Sequence, residues 1–261
     1  MISGSLPLFH FRNLFSVPGV THAVSTRAGG VSSGRCASLN TSYSVGDERT
    51  NVDENLSRIA ASVGAEREDL FWAYQVHGNA ATVVEADTPG EPNGSGKPPR
   101  CDILVTRSTG RTLLLRYADC TPILLADPRR RAVAAVHAGW RGTAVRAASN
   151  AVRALREAFG SDARDLIAGI GPAIGPCCYA VGQEVFERFG DRPWAAKTTR
   201  GGAPSLDLWE SNRRDLIEAG VPAEQIESAG ICTQCASDRF FSHRANGGRP
   251  AGRFAAVIRL S

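Results

Sequence analysis

Three apolar runs follow one another almost without pause, at residues 112–116, 122–126 and 132–136. Each is nearly continuous in Leu, Ile, Val and Ala and does not alternate with polar residues. A strand with one wet face alternates, whereas a strand covered on both faces does not. These runs therefore demand a sheet buried between other layers. Further strands are read at 81–85, 103–106, 166–170 and 255–260.

Helices are marked by their ends and their period. Asn51 with Glu54 reads as a capping pair, followed by Leu56, Ile59 and Val63, with Gly64 as the stop. Val145, Ala148, Val152, Leu155 and Phe159 share one helical face, with Thr143 as expected N-cap and Gly160 as terminator. Shorter helices are expected at 183–189 and from Asp207 to Gly220, and proline- and glycine-rich loops at 88–100 and 192–205. Strands and helices do not alternate strictly. The expected class is α+β, with sheets layered under helices, in preference to a doubly wound parallel sheet.

A chain of 261 residues with 43% hydrophobic content can bury a large core without a metal or disulfide to hold it. One domain spanning 1–261 is expected, because no composition break divides it. Thirty basic residues against 26 acidic ones give a net charge of +4, spread along the chain. That balance suits a small anionic ligand and argues against a nucleic-acid groove. No apolar run reaches the ~18 residues of a membrane span, and Met1 to His10 lacks a signal-peptide pattern. Seven cysteines in no scaffold spacing then point to free or metal-bound thiols in the cytoplasm.

The residues best suited to chemistry sit in three distant segments. His77 lies in Gln75-Val76-His77-Gly78, Cys120 in Ala118-Asp119-Cys120-Thr121-Pro122, and His137 in Val136-His137-Ala138-Gly139-Trp140-Arg141-Gly142-Thr143. Two imidazoles and a thiolate suit Zn²⁺ and also copper. Three protein ligands leave one position open, which separates a catalytic zinc from a structural one. His137 is expected at the carboxyl end of a strand, beside a helix N-terminus that favours anions. Arg141 adds a guanidinium fork for phosphate or carboxylate, and Asp119 is placed to orient a metal-bound imidazole. Taken singly, each has a plain structural reading: a turn histidine, a small buried thiol, a surface arginine.

Other segments are less pointed. Arg27 sits in a glycine loop and reads as an anion clamp or as part of a simple turn, with Asn40 downstream to offer polar contacts. The 169–179 run is punctuated by Gly and Pro, so the vicinal Cys177 and Cys178 read as a pocket wall or as packing. Cys232-Thr233-Gln234-Cys235 is a lone CxxC, half of a zinc site at most, and reads as structural. Phe240-Phe241-Ser242-His243-Arg244 offers an aromatic wall and an anion contact.

Together these segments resemble the YfiH family, whose members are described as multicopper polyphenol oxidases and as zinc-dependent purine nucleoside phosphorylases and adenosine deaminases. The resemblance rests on STRAGGVS at 25–32, SLN at 38–40, VGD at 45–47, QVHG, ADCTPILLAD, AVHAGWRGT, GPAIGPCCYAVG, CT at 232–233, FFSHR and GR at 252–253. It covers nearly the whole chain; among small departures, Thr41-Ser42 follow Asn40 where many members carry an apolar residue and glycine. It implies a layered α/β/β/α sandwich with mixed sheets, likened to cysteine hydrolases. It also implies His77, Cys120 and His137 as metal ligands, the triplet the residues themselves suggest. The activity it implies is phosphorolysis of adenosine, inosine, guanosine or methylthioadenosine to free base and ribose 1-phosphate, with adenosine deamination at the same metal site. Partners would be a purine nucleoside and phosphate, with the chain a monomer or homodimer.

Within that reading, Arg27, Arg141 and Arg244 are candidates to hold phosphate, and Asn40 and Cys178 to contact substrate. Nucleobase deaminases use a glutamate in an H-x-E context. His77-Gly78-Asn79 and His137-Ala138-Gly139 lack it, so Asp119 is the expected substitute. Three rivals stand beside this. A copper-dependent polyphenol oxidase would need many histidines, and the chain has five. A thiol hydrolase acting on cell-wall precursors would use Cys120 as nucleophile and His137 as base. A zinc-stabilised binding module would close the fourth ligand position.

Overall fold

The computed structural model describes residues 6–88, 97–199 and 201–261. Its strands are β1 (Leu8–Phe9), β2 (Val20–Ser25), β3 (Leu70–Trp72), β4 (Ala81–Val83), β5 (Ile103–Thr106), β6 (Thr112–Tyr117), β7 (Thr121–Asp127), β8 (Ala132–Ala138), β9 (Ile167–Ile170), β10 (Ala196–Thr198), β11 (Pro204–Leu206), β12 (Ile226–Ser228) and β13 (Phe254–Leu260). Its α-helices are α1 (Arg12–Phe15), α2 (Arg49–Ser62), α3 (Trp140–Ala144), α4 (Ala147–Phe159), α5 (Gln183–Phe186) and α6 (Leu208–Glu218).

The fold is a mixed α/β arrangement with two large mixed sheets. One runs β1-β2-β13-β6-β3 and the other β12-β9-β7-β8-β5-β4, while β10 and β11 form a separate hairpin. In each sheet an edge pair is parallel, β3 with β6, β4 with β5 and β12 with β9, and the remaining pairings are antiparallel.

The continuous apolar runs have the cause inferred for them. Along β6, Leu113 and Leu115 point one way and Leu114 the other, and all three are fully buried. Leu113 and Leu115 join Phe254 and Ile258 of β13 in a core shared with Leu124, Val133 and Ala135 of the second sheet. Leu114 and Val257 face the opposite way, against Val52, Leu56 and Ile59 of α2. The far face of the second sheet, including Ile123, Leu125 and Val136, is covered by Ala148, Ala151 and Leu155 of α4 and by Leu216 of α6. Truncating Leu155 to Ala would cost about 2–5 kcal/mol, because both the transfer energy and a cavity count.

Several expectations need correction. The helix after His137 is not continuous from Thr143: α3 starts at Trp140 with Gly139 as N-cap. The chain breaks at Arg146, which takes a left-handed φ of 58° before α4. Arg146 is held there by a 3.1 Å ion pair with Asp215 and a second with Glu218, contacts that local periodicity cannot reveal. Val145, read as the first residue of the apolar face, is 50% exposed in the break. The stretch 192–205, expected as loop, carries β10 and the start of β11. The loop expected at 88–100 lies largely outside the described residues. Among the described residues, no helix is long and apolar enough to cross a membrane.

Candidate metal centre

Sheet register brings the three distant segments together. β7 and β8 pair antiparallel with Pro122 opposite His137, which puts Cys120, just ahead of β7, beside the end of β8. β5 pairs with β8 through Ile103 and Val136, so Asp102 stands next to His137. β4 pairs with β5 through Ala81 and Ile103, and His77 approaches just before β4. The ligand atoms of His77, Cys120 and His137 all lie within 4.8 Å of one another. His77 Nδ1 is 4.0 Å from Cys120 Sγ, and the two imidazole centroids are 4.9 Å apart.

The carboxylate that orients the imidazole is Asp102, not Asp119. Asp102 Oδ1 lies 2.8 Å from His137 Nδ1, which leaves Nε2 for a ligand. Asp102 is fully buried, and its carboxylate also accepts the backbone N–H groups of Val76 (3.1 Å), His77 (3.0 Å) and Gly78 (2.7 Å). Those three bonds hold His77 in a left-handed φ of 61°, costly for a residue with a Cβ. One carboxylate thus places both imidazoles. Asp119 is also left-handed, with φ 90°, but its oxygens accept from Thr233 Oγ1 (2.7 Å) and the Arg244 N–H (2.7 Å). It ties two loops together and, among the described residues, accepts no hydrogen bond from an imidazole.

Burial opposes charge on Cys120, yet the His137 charge and hydrogen bonds from both imidazoles outweigh it and bring the thiol down to about 6. Burial likewise opposes charge on His137, and the Cys120 thiolate and Asp102 outweigh it and raise the imidazole to about 9. The cluster therefore favours a thiolate beside positive charge, a state in which a divalent cation can replace the protons. Gly139 matches that use. A Cβ there would stand 2.8 Å from Cys120 Sγ and 3.1 Å from His77 Nδ1, inside the space between the ligand atoms. Donor chemistry and open space both fit a zinc-class ion held by His77, Cys120 and His137.

The cluster opens into a cavity of about 730 Å³, a size typical of small-molecule sites. Arg116, Arg141, Arg244 and Arg253 all line it, against a single carboxylate, from Asp119, among the described residues. Arg141 stacks on Trp140 (4.3 Å from guanidinium carbon to ring centroid) and Arg244 on Tyr179 (5.3 Å), so each guanidinium is braced by a ring, and Arg244 also donates from Nη1 to the Ala180 carbonyl (3.1 Å). Arg116 and Arg253 belong to this wall although neither is among the candidates that the sequence offers. Nothing local marks Arg116 on β6, whereas Arg253 belongs to the GR pair quoted above.

The remaining candidates fall elsewhere. Arg27 lines a different, smaller cavity and donates to the carbonyls of Ala37 (3.0 Å) and Ser237 (2.8 Å), stacked on Phe241. It braces two loops. Asn40 is fully buried; it donates to Asp47 Oδ2 (2.8 Å) and accepts from the backbone of Ser42 (3.1 Å) and Arg253 (2.9 Å). It shapes the wall from behind and does not line the cavity. Cys178 joins Cys177, Cys232 and Cys235 in a second thiol cluster that does not line this cavity either.

Comparison with known proteins accords with this architecture. Residues 21–261 match the family model described as multi-copper polyphenol oxidoreductase laccase. The chain is 34% identical to a purine nucleoside phosphorylase of Bacteroides thetaiotaomicron, over 96% of this chain and 95% of that one. It is 38% identical to a purine nucleoside phosphorylase of Deinococcus radiodurans, over 100% and 95% of the two chains. The crystal structure of Bacillus licheniformis hypothetical protein YfiH superposes with a TM-score of 0.90 at 32% identity, covering 100% of this chain and 98% of that one. Geobacillus stearothermophilus YlmD gives a TM-score of 0.86 at 35% identity, over 94% and 93%. The chain belongs to the multi-copper polyphenol oxidoreductase laccase family, the YfiH family.

Proposed function

We propose that this protein is a zinc-dependent purine nucleoside phosphorylase that also deaminates adenosine in the same cavity. The observation that carries the proposal is the convergence of His77, Cys120 and His137 at the wall of an arginine-lined cavity. The relatives named purine nucleoside phosphorylase support it. Zn²⁺ bound there would supply Lewis acidity to an oxygen of substrate or water.

The chain's own residues do the rest. Arg141 and Arg244 hold phosphate as charge-assisted forks, with Arg116 and Arg253 adding positive potential. Phosphate oxygen forms a bond to the ribose anomeric carbon as the bond to the purine nitrogen breaks, and the base leaves with a proton. In deamination, water replaces the C6 amino group of adenosine and ammonia departs. Asp102 keeps His137 in one tautomer, and Asp119 positions the Arg244 backbone; neither contacts substrate in this proposal.

The test is direct. Zinc-loaded protein with adenosine and phosphate should yield adenine and ribose 1-phosphate, and inosine when phosphate is omitted. Zinc-loaded protein that converts no purine nucleoside would sink the reading. Copper-based phenol oxidation fits less well, because only His77, His137 and His243 reach the cavity while His10 and His22 pair with each other elsewhere.

A second reading is favoured by one observation: Cys120, His137 and Asp102 stand in the order of a nucleophile, its base and the base's orienter. We propose it as the runner-up, a Cys120-dependent hydrolase of cell-wall precursors. Its mark would be activity in metal-free protein abolished by alkylation of Cys120. We further propose that residues 1–261 form one domain with α/β/β/α layering, cysteine-hydrolase-like. A cytoplasmic setting would keep its seven unpaired cysteines reduced.

A further inference from the structure

The sulfurs of Cys177, Cys178, Cys232 and Cys235 all lie within 4.8 Å of one another. Cys177 Sγ is 3.7 Å and Cys178 Sγ 3.5 Å from Cys235 Sγ. A tetrahedral zinc with Zn–S bonds of ~2.3 Å sets its sulfurs about 3.8 Å apart. Cysteine used as a small hydrophobe is surrounded by carbon. Here four thiols from two separate loops face each other at the spacing of a coordination shell.

The backbone supplies an independent sign. The Gly175 N–H is 3.3 Å from Cys232 Sγ, and the Cys235 N–H also donates to that sulfur. Amide donors aimed at sulfur stabilise thiolate, the ligand form. Gly175 is needed for this approach: a Cβ would stand 2.6 Å from the Trp209 ring and 3.2 Å from Cys232 Cβ. The lone CxxC is thus completed by the vicinal pair.

We propose that Cys177, Cys178, Cys232 and Cys235 bind a second ion, Zn²⁺, in a closed four-thiolate site separate from the His77–Cys120–His137 cluster. Four sulfurs fill the tetrahedron, so the role is structural. Zn²⁺ forms four Zn–S bonds as thiol protons leave to solvent, with no change of oxidation state. The ion clips two loops that wall the cavity: one supplies Ile174 and Tyr179, the other His243 and Arg244. In the protein itself these loops already meet through the Ala173–Cys232 bridge and the Thr233 N–H, which donates to the Ala173 carbonyl at 3.0 Å.

Metal counting decides it. Protein loaded with zinc and then dialysed should hold two zinc ions per chain. A variant carrying His77→Ala, Cys120→Ser and His137→Ala together should retain one, and adding Cys232→Ser and Cys235→Ser should leave none. Cobalt(II) in the triple variant should give the intense sulfur-to-cobalt charge-transfer absorption of a thiolate site. A triple variant that is folded by circular dichroism and binds no zinc overturns the proposal. If that variant does not fold, alkylation of the unmodified protein answers in its place. Zinc should shield these four cysteines from the reagent, and equal labelling with and without zinc overturns it. A disulfide among the four in protein purified under reductant, or iron in place of zinc, overturns it as well.

Discussion

The two thiol clusters differ in what their thiols meet. Cys120 faces imidazoles, which overcome burial and bring it down to about 6. Cys177 faces other thiols; burial and hydrogen bonds with Cys232 and Cys235 push it up to about 11. An imidazole partner prepares a thiolate before any ion arrives, whereas in the second cluster amide donors favour the thiolate at Cys232, and Cys177 and Cys178, pushed up by burial and by neighbouring thiols, need the cation itself. The first cluster opens on the arginine-lined cavity and the second does not line it. The same element of chemistry, a cysteine sulfur, therefore suits an open reactive site in one place and a closed clip in the other.

The sharpest way to break this comparison is to remove one ligand of the open cluster. Cys120→Ser or His137→Ala should lower phosphorolysis by on the order of 10³, the upper scale of losing one electrostatic stabiliser. Zinc content should drop by the share of that cluster alone, and the four-thiol cluster should keep its ion. Activity lost with metal content unchanged would show that the ligands are misassigned.

A smaller effect is expected one step behind the ligands. Asp102→Asn should weaken zinc at the open cluster by about 10–100-fold, as loss of a carboxylate behind a ligating imidazole does. Competition with a chelator measures it. Unchanged affinity would reduce Asp102 to a turn-former for the His77 segment. Next comes the cavity wall: Arg141→Ala should raise the KM for phosphate about tenfold, the low end of a charge-assisted hydrogen bond. Its zinc content should not change. A phosphate dependence that does not move would remove the clamp role from Arg141.

The open cluster was legible in sequence because each ligand carries its own distinctive flank, and because β7 and β8 read clearly as buried strands. Asp102 was not legible. Its role depends on β5 lying beside β8, and locally it is only a polar residue before Ile103, while Asp119 is the carboxylate next to Cys120 in the chain. The four-thiol cluster failed for a related reason. The CxxC is half a site, and its other half is a vicinal pair in a different loop. Short strands such as β1, β3 and β12 are fixed by their neighbours and leave too few residues for a period to show. Arg27 and Arg141 look alike as lone arginines beside glycines; only tertiary structure sends one to brace a loop and the other to the cavity.

The smallest effect tests why His137 holds charge at all. His22 is its natural control: both imidazoles are buried, at 1% and 3% exposure. His137 has Asp102 and Cys120 beside it and rises to about 9. Among the described residues His22 has no such partner; burial, helped by His10, lowers it from 6.5 to about 4. Its Nε2 accepts the Phe11 N–H at 2.8 Å, a bond that protonation would break. Between those two values the unfolded chain binds the extra proton and the folded one does not, so stability rises with pH through this window. It is fully present above about pH 6.5 and is lost as pH falls toward 4. The full shift corresponds to roughly 3 kcal/mol at most, since one unit is worth 1.36 kcal/mol. Urea unfolding at pH 7.5 and pH 5 should therefore show a drop for the unmodified protein that is smaller in His22→Gln, whose side-chain oxygen can still accept from Phe11 without titrating. Equal drops in the two proteins would mean that burial alone does not hold His22 neutral. The carboxylate and thiolate around His137 would then no longer be needed to explain why one buried imidazole carries charge and the other does not.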